Sequence, residues 1–373
     1  MRKLSGANMK KTLYYLRRNG LRNTWDAAME RMSARDDYRY EAPSAKALER
    51  QRAETLERVD SLGQEEVTAF SIVVPLYRTD PAYIRALSDS VRAQSYPAWE
   101  LILADATEDD SVEQVVQEIT EQAGEDRGRI RYVRLPENEG ISGNTNRALT
   151  YVQNPYVGLL DHDDLLTPDA LYEMAAVIRK GREQGRELTV VYSDEDKCDS
   201  EGIRFYEPNR KEDFNYDLLL SNNYICHFLV MKRELIQSLG FRPEYDGAQD
   251  YDLVLRAAAS ILDRGDAPEK EICHVPATLY HWRCHVGSTA ENPRSKTYAY
   301  EAGRRAVETF LRDRGRPEIG VESTEAFPTM YRLRIPIKGN PSVRVILRPG
   351  KDEQRVPERL EALKSQTAWK RIA

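Results

Sequence analysis

From Phe70 onward, short apolar runs rich in β-branched residues alternate with amphipathic stretches. The runs are FSIVV at 70–74, WELILAD at 99–105, IRYVRL at 130–135, YVGLLD at 156–161 and LTVVYSD at 188–194. Between them lie amphipathic segments at 81–94, 111–123, 142–152 and 168–180. Strand–helix alternation at this spacing predicts βαβ crossovers and a mainly parallel central sheet flanked by helices, an α/β fold. Ligands of such sheets sit beyond the carboxyl ends of the strands. That rule singles out Pro75 to Tyr77, Asp105, Asp161 to Asp164 and Ser193 to Lys197.

The flanks of this region read differently. Residues 1–22 carry seven basic side chains and no acidic one. Asn19-Gly20 reads as a helix stop, and Asn23 with Asp26 as a new start. Leu21, Trp25, Met29 and Met32 then form an apolar stripe at helical spacing. The stripe and its basic neighbour suit either an anchor on an anionic membrane surface or a helical pair packed on the main domain. Residues 44–62 read as a further charged helix bridging to the core. At the far end, SVRVILRPG (342–350) and LEALKSQTAWKRIA (360–373) echo SIVVPLYRT (71–79) and LSDSVRAQSYPAWELILA (87–104). The sequence therefore divides into a helical N-terminal extension (1–65), a central α/β domain (66–335) and the start of a second, truncated repeat (336–373).

Composition narrows the function classes. The 373 residues are 40% hydrophobic, enough for a substantial core, and 55 Lys+Arg against 61 Asp+Glu leave a net charge of −6. A chain of that sign has no global field for a nucleic-acid backbone, so nucleic acid is not expected as a partner. No run of about 18 apolar residues and no apolar leader is present, so neither a membrane span nor secretion is expected. Four scattered cysteines, none in a CxxC pair, fit a reducing cytoplasm.

Asp161-His162-Asp163-Asp164 follows an apolar run, and so many polar groups there need charged or metal partners. Carboxylates at i and i+2 on a turn can converge on one Mg²⁺ or Mn²⁺, whose shell phosphate oxygens complete. The plainer alternative is an acidic N-terminus for the 168–180 helix.

The ordered set FSIVVPLY (70–77), ILAD (102–105), NEGISGNTNRAL (138–149), GLLDHDD (158–164), YSDEDK (192–197), GAQDYDL (247–253) and YHWRCHVGSTA (280–290) resembles family 2 glycosyltransferases of the GT-A fold. Within them the set is most similar to bacterial enzymes that build rhamnose-rich surface polysaccharides. The resemblance runs from about Phe70 to Leu311. It implies an inverting enzyme that uses a nucleotide-diphosphate sugar and a divalent metal (Mn²⁺ or Mg²⁺). The implied acceptor is a glycan or lipid-linked glycan, met at the inner face of a bacterial membrane. By the same resemblance Pro75, Tyr77 and Asp105 line the base pocket, Asp161 faces the ribose or donor sugar, and Asp163 binds the metal. Asn146 matches an Asn at the donor, although Asn144-Thr145 stand where the family has Ala-Arg. Asp250 sits at the catalytic base, with Gln249 in place of the usual Glu, and Arg283 and His285 match the motif that closes on diphosphate and metal.

The chemistry is self-consistent. Sugar transfer needs a charge sink for the leaving group, which a metal and Arg283 supply, and a base for the incoming hydroxyl, which Asp250 supplies. Asp252 and partial burial would make that carboxylate more basic. Asp250 also reads as the cap of the helix YDLVLRAAA. Asp194, Glu195 and Asp196 are expected to contact the donor sugar or the acceptor.

Rival readings of these residues fare worse. The cluster Cys273, His274, His281, Cys284 and His285 offers only one pair at zinc-ligand spacing. DEDKCDSEG lacks the glycine an EF-hand needs at its sixth position. A nucleotidyltransferase would carry a Gly-rich basic loop after the first strand, and PLYRTDP is not one. The remaining alternative is a degenerate GT-A module that binds a glycan or a partner without turnover.

Overall fold

The computed structural model describes residues 38–63, 67–284, 297–324, 329–337, 339 and 356–366. The basic helices expected within 1–33, the strand expected at 342–350 and His285 lie outside the described residues.

The strands expected from the sequence form close to where their patterns put them. They are β1 (Phe70–Leu76), β2 (Trp99–Asp105), β3 (Ile130–Arg134) and β4 (Tyr156–Leu159). The crossover helices α2 (Pro81–Arg92), α3 (Ser111–Glu121) and α4 (Gly140–Leu149) join them, and α5 (Ala170–Glu183) follows β4 and the short β5 (Leu165–Leu166). Helix α2 begins where Asp80 accepts the Ala82 N–H and Pro81 presets the first turn. Its apolar stripe Ile84, Leu87 and Val91 is fully buried. Ahead of them α1 (Ala45–Leu62) is capped by Ser44 and docks on the domain through Ser95 Oγ–Gln51 (2.7 Å) and Tyr172 Oη–Glu54 (2.8 Å).

The second half contributes β6 (Val190–Cys198), β7 (Phe205–Asn209), α6 (Tyr216–Leu219), β8 (Leu229–Lys232), α7 (Arg233–Leu239), α8 (Gln249–Asp263), α9 (Pro268–Glu271) and β9 (Ile272–Arg283). Helix α10 (Thr297–Asp313), the hairpin β10 (Gly320–Ser323) and β11 (Tyr331–Arg334), and α11 (Val356–Gln366) complete the described chain.

One sheet runs β3-β2-β1-β4-β8-β6-β9-β5, with β7 on the outer part of β6. The pairs β2–β3, β1–β2, β1–β4 and β6–β9 are parallel. The sheet is nonetheless mixed, because β8 inserts antiparallel between β4 and β6, and β5 and β7 also run against their neighbours. Alternate residues of β1 enter separate cores: Val73 faces a cluster with α4 and α8, while Ile72 and Val74 face one with α2, α3 and α5. Both faces are thus covered, as a parallel block requires.

The reversal of β8 decides the site. Strands β4 and β6 deliver their carboxyl ends to one rim, and an antiparallel strand between them delivers its beginning to the same rim. Cys226 and His227, just before β8, therefore stand between the DHDD turn and the acidic end of β6.

Candidate active site

The turn after β4 is built on buried partners. Asp164 is 1% exposed and accepts from Tyr280 Oη (2.5 Å) and from the Arg283 backbone N–H (2.7 Å). Burial, with Asp163 and Asp161 adding to it, pushes the Asp164 carboxyl well above the usual range. Tyr280 Oη also accepts the Asp161 backbone N–H (3.3 Å). Asp164 thus shapes the turn from behind, leaving Asp161 and Asp163 toward the cleft. Asp161 is pushed up by its depth in the cleft, with His227 opposing this and Asp163 and Asp250 adding to it. Asp250 is therefore close enough for its charge to be felt at Asp161.

Arg283, at the end of β9, is 2% exposed. Its Nε donates to the Asp163 carbonyl, its Nη1 to the Ser200 carbonyl (2.7 Å), and its guanidinium lies 4.9 Å from the Tyr83 ring centre. It ties the DHDD turn to the loop after β6. Its Nη2 is buried without a hydrogen-bond partner among the described residues, a donor left for an anion.

Two carboxylates separated by one residue on α8 have different duties. Asp252 is 1% exposed and held by Arg242 and by Arg256, whose Nη2 is 2.8 Å away. It is not free to act as the acidic neighbour that the sequence reading gave Asp250, because two guanidiniums offset its charge. Asp250, half-buried, accepts from Asn223 Nδ2 (3.0 Å) and from the N–H of Tyr251 (2.8 Å). Nor is Asp250 the helix cap: Ala248 occupies that position and Asp250 stands inside the first turn.

The base-pocket candidates lie at the carboxyl ends of β1 and β2. Asp105 is fully buried and accepts from Tyr132 Oη (2.8 Å) and the Thr107 N–H (2.9 Å). Pro75 pairs across from Ala104, and Tyr77 donates its hydroxyl to Glu108 (2.9 Å).

Other expected contacts are used elsewhere. Asn146 clamps one residue, accepting the Phe241 N–H (2.7 Å) and donating to the Phe241 carbonyl (2.8 Å), so its amide is spent on fastening α4 to the segment after α7. Asp194 and Asp196 are likewise committed within the protein. Asp194 accepts from the Lys211 N–H (2.8 Å) and pairs with His274 Nε2 (2.7 Å). Asp196 pairs with His281 Nδ1 (2.5 Å) and accepts from Tyr38 Oη (2.7 Å). Both carboxylates are buried and hydrogen-bonded within the protein. Glu195, on the opposite face of β6, accepts the His227 N–H, takes Asn209 Nδ2 (3.1 Å) and lies 3.6 Å from Lys211 Nζ.

His227 and Lys211 are residues of the candidate site that sequence reasoning missed. His227 Nδ1 lies 3.5 Å from Glu195 and its Nε2 3.6 Å from Asp161, with the ring stacked 4.9 Å from Tyr280. Burial favours a neutral ring, but Glu195 and Asp161 outweigh it and raise the pKa to about 10. Lys211 is buried with its Nζ donating to the Ile225 and His227 carbonyls. A short apolar run after a polar break, CHFLVMK, was the available signal, but nothing in it announced the strand direction that makes His227 matter.

The turn after β4 offers carboxylates of the kind a divalent metal takes. Asp161 and Asp163 present two acidic side chains at one turn, and the upward push on Asp161 is what a cation there would relieve. No cluster of three or more His, Cys, Asp or Glu able to hold a metal exists among the described residues. A Mg²⁺ or Mn²⁺ completed by phosphate oxygens needs only one or two carboxylates, so the residues fit that kind of ion.

Residues 71–240 match the sequence profile of Glycosyl transferase family 2. The chain carries a family 2 glycosyltransferase domain. It is 39% identical over 287 residues to the uncharacterized protein y4gI of Sinorhizobium fredii, covering 77% of this chain and 30% of that one. It is 34% identical over 283 residues to the O-antigen biosynthesis protein RfbC of Myxococcus xanthus, covering 76% and 21%. The chain therefore spans less than a third of either relative. Staphylococcus aureus TarS 1-349 in complex with UDP superposes with a TM-score of 0.47 at 18% identity, covering 65% of each chain. No described helix is long and apolar enough to cross a membrane.

Proposed function

We propose that this domain transfers a sugar from a nucleotide-diphosphate donor to a glycan or lipid-linked acceptor, with inversion, in the making of a bacterial surface polysaccharide. The observation that carries the reading is the acidic turn Asp161–Asp163 at the carboxyl end of β4, with Asp250, bonded to Asn223 in the segment leading into β8, adding to the charge felt by Asp161. The printed role of the O-antigen relative supports the polysaccharide assignment.

In this reading Pro75, Tyr77 and Asp105 receive the base, and Asp161 takes ribose or donor-sugar hydroxyls. Asp163 holds a divalent ion, together with His285 by the family resemblance. That ion, when bound, neutralises charge on the departing diphosphate. Arg283 adds its free Nη2 to the same task. Asp250 takes the proton of the acceptor hydroxyl as that oxygen attacks the anomeric carbon, and Asn223 and the Tyr251 N–H hold the carboxylate in place. His227 keeps the clefted carboxylates from repelling one another before the donor arrives.

A thermal-shift panel of UDP-, dTDP- and GDP-sugars with and without Mn²⁺ tests this, because a ligand that binds only the folded state raises apparent stability. One nucleotide series is expected to raise the melting temperature in a metal-dependent way. No shift with any donor would remove the reading.

A further inference from the structure

Beside the cleft, on the far side of Glu195, lies a separate cavity of about 250 Å³ lined by Glu195, Asp196, Lys197, Glu207, Asn209 and Trp282. None of Lys197, Glu207, Asn209 and Trp282 has a task in the chemistry described above. Its size falls below the roughly 300–1,000 Å³ common for sites of drug-sized ligands, so it suits one ring and not a nucleotide sugar.

Its wall has two kinds of surface. Trp282 offers an indole, with Lys197 Nζ 5.9 Å from the ring centre. Around it stand hydrogen-bonding groups: Lys197 Nζ and Glu207 are 2.7 Å apart, and Asn209 reaches Glu195. Glu207 has φ +50°, a conformation a non-glycine residue adopts at a cost. An aromatic plate beside a rim of paired donors and acceptors matches a pyranose, which has an apolar C–H face and an edge of hydroxyls. The lining also has a sign. Two carboxylate side chains, Glu195 and Glu207, and a single lysine face the cavity, Asp196 being turned to His281 on the other face of β6, so an anionic ring would meet like charge at short range.

We propose that this cavity is a subsite for a neutral pyranose of the acceptor glycan, stacked on Trp282 and hydrogen-bonded by Glu207, Asn209 and Lys197, and that it rejects uronic-acid rings. The inference rests on the glycosyl-transfer reading. Glu195 joins the two places: one carboxylate oxygen faces Asn209 at the cavity, the other faces His227 and, beyond it, Asp161. A sugar held here sits one wall away from the reacting centre.

The test uses the full chain and saturation-transfer NMR with methyl glycosides of glucose, rhamnose and glucuronic acid, with UDP-, dTDP- and GDP-sugar binding in Mn²⁺ measured on the same samples. At least one neutral glycoside is expected to bind and the glucuronide not to bind. Glu207→Gln and Asn209→Ala change exposed groups and leave the fold intact. Together with Trp282→Leu they are expected to weaken the neutral glycoside by roughly ten-fold or more while nucleotide binding is retained. Glycoside binding that is absent, or unchanged in all three variants, or equal for the glucuronide, overturns the subsite even if the nucleotide binds. Loss of nucleotide binding in the parent would instead strike the glycosyl-transfer reading and leave the glycoside result to stand by itself.

Discussion

His227 Nε2 lies 3.6 Å from Asp161 Oδ2, so an imidazolium occupies the space between the two acidic segments of the cleft. Its other nitrogen faces Glu195, and Lys211 holds its carbonyl from below. The chain Lys211, Glu195, His227, Asp161 alternates in charge, which makes a carboxylate-rich cleft tolerable in the folded protein before any donor binds.

Glu195 is the link whose loss should be felt first. Burial would raise its carboxyl, but Lys211 and His227 outweigh that and bring it down to about 2. A carboxyl depressed in the folded state adds stability above its ordinary value of 4.5, and that stability fades as pH falls from there toward 2. Glu195→Gln is expected to cost about 3–5 kcal/mol at neutral pH, because it strands two buried cations. Urea midpoints at pH 5, 4 and 3 should fall more steeply in the parent than in the variant, and parallel curves would show that Glu195 is not the titrating link.

Asp252 and Asp250 offer a paired control. Asp252→Asn leaves Arg242 and Arg256 around a neutral amide, and the expected loss is about 3–5 kcal/mol by urea denaturation. Asp250→Asn keeps an acceptor for the Tyr251 N–H and should lie within about 0.5 kcal/mol of the parent. Equal losses would mean that both carboxylates are structural.

Asp163→Asn tests the cation. Arg283 grips the Asp163 backbone carbonyl, which the substitution leaves in place, so the turn should keep its shape. Calorimetric titration with Mn²⁺ and donor should show metal-dependent nucleotide binding weakened at least about ten-fold. Binding equal to the parent's would move the metal away from Asp163.

The sequence made the first half of the fold legible because parallel strands buried on both faces are near-continuous apolar runs: FSIVV and WELILAD became β1 and β2 with little change of boundary. It also put Asp161 and Asp163 just past the end of β4, since the chemistry of a parallel sheet collects at strand ends, whereas Asp250, on a helix, was reached only through the family resemblance. It could not show that Asn146 would be spent on Phe241, or that Asp194 and Asp196 would be buried against His274 and His281. Those partners are 80 residues or more away in sequence, and a polar strand end looks the same whether it meets substrate or protein. His227 stayed hidden for a related reason: its role comes from the antiparallel insertion of the four-residue β8, too short to declare its direction.

The most direct test of the central claim is the steady-state rate of Asp250→Asn with the donor identified in the thermal-shift panel and a matching acceptor, read beside donor affinity. The amide can accept a hydrogen bond and cannot take a proton. The account predicts a kcat lower by about 10²–10⁴, with donor affinity and melting temperature close to the parent's. Turnover within a few-fold of the parent would contradict it and remove Asp250 from the chemistry.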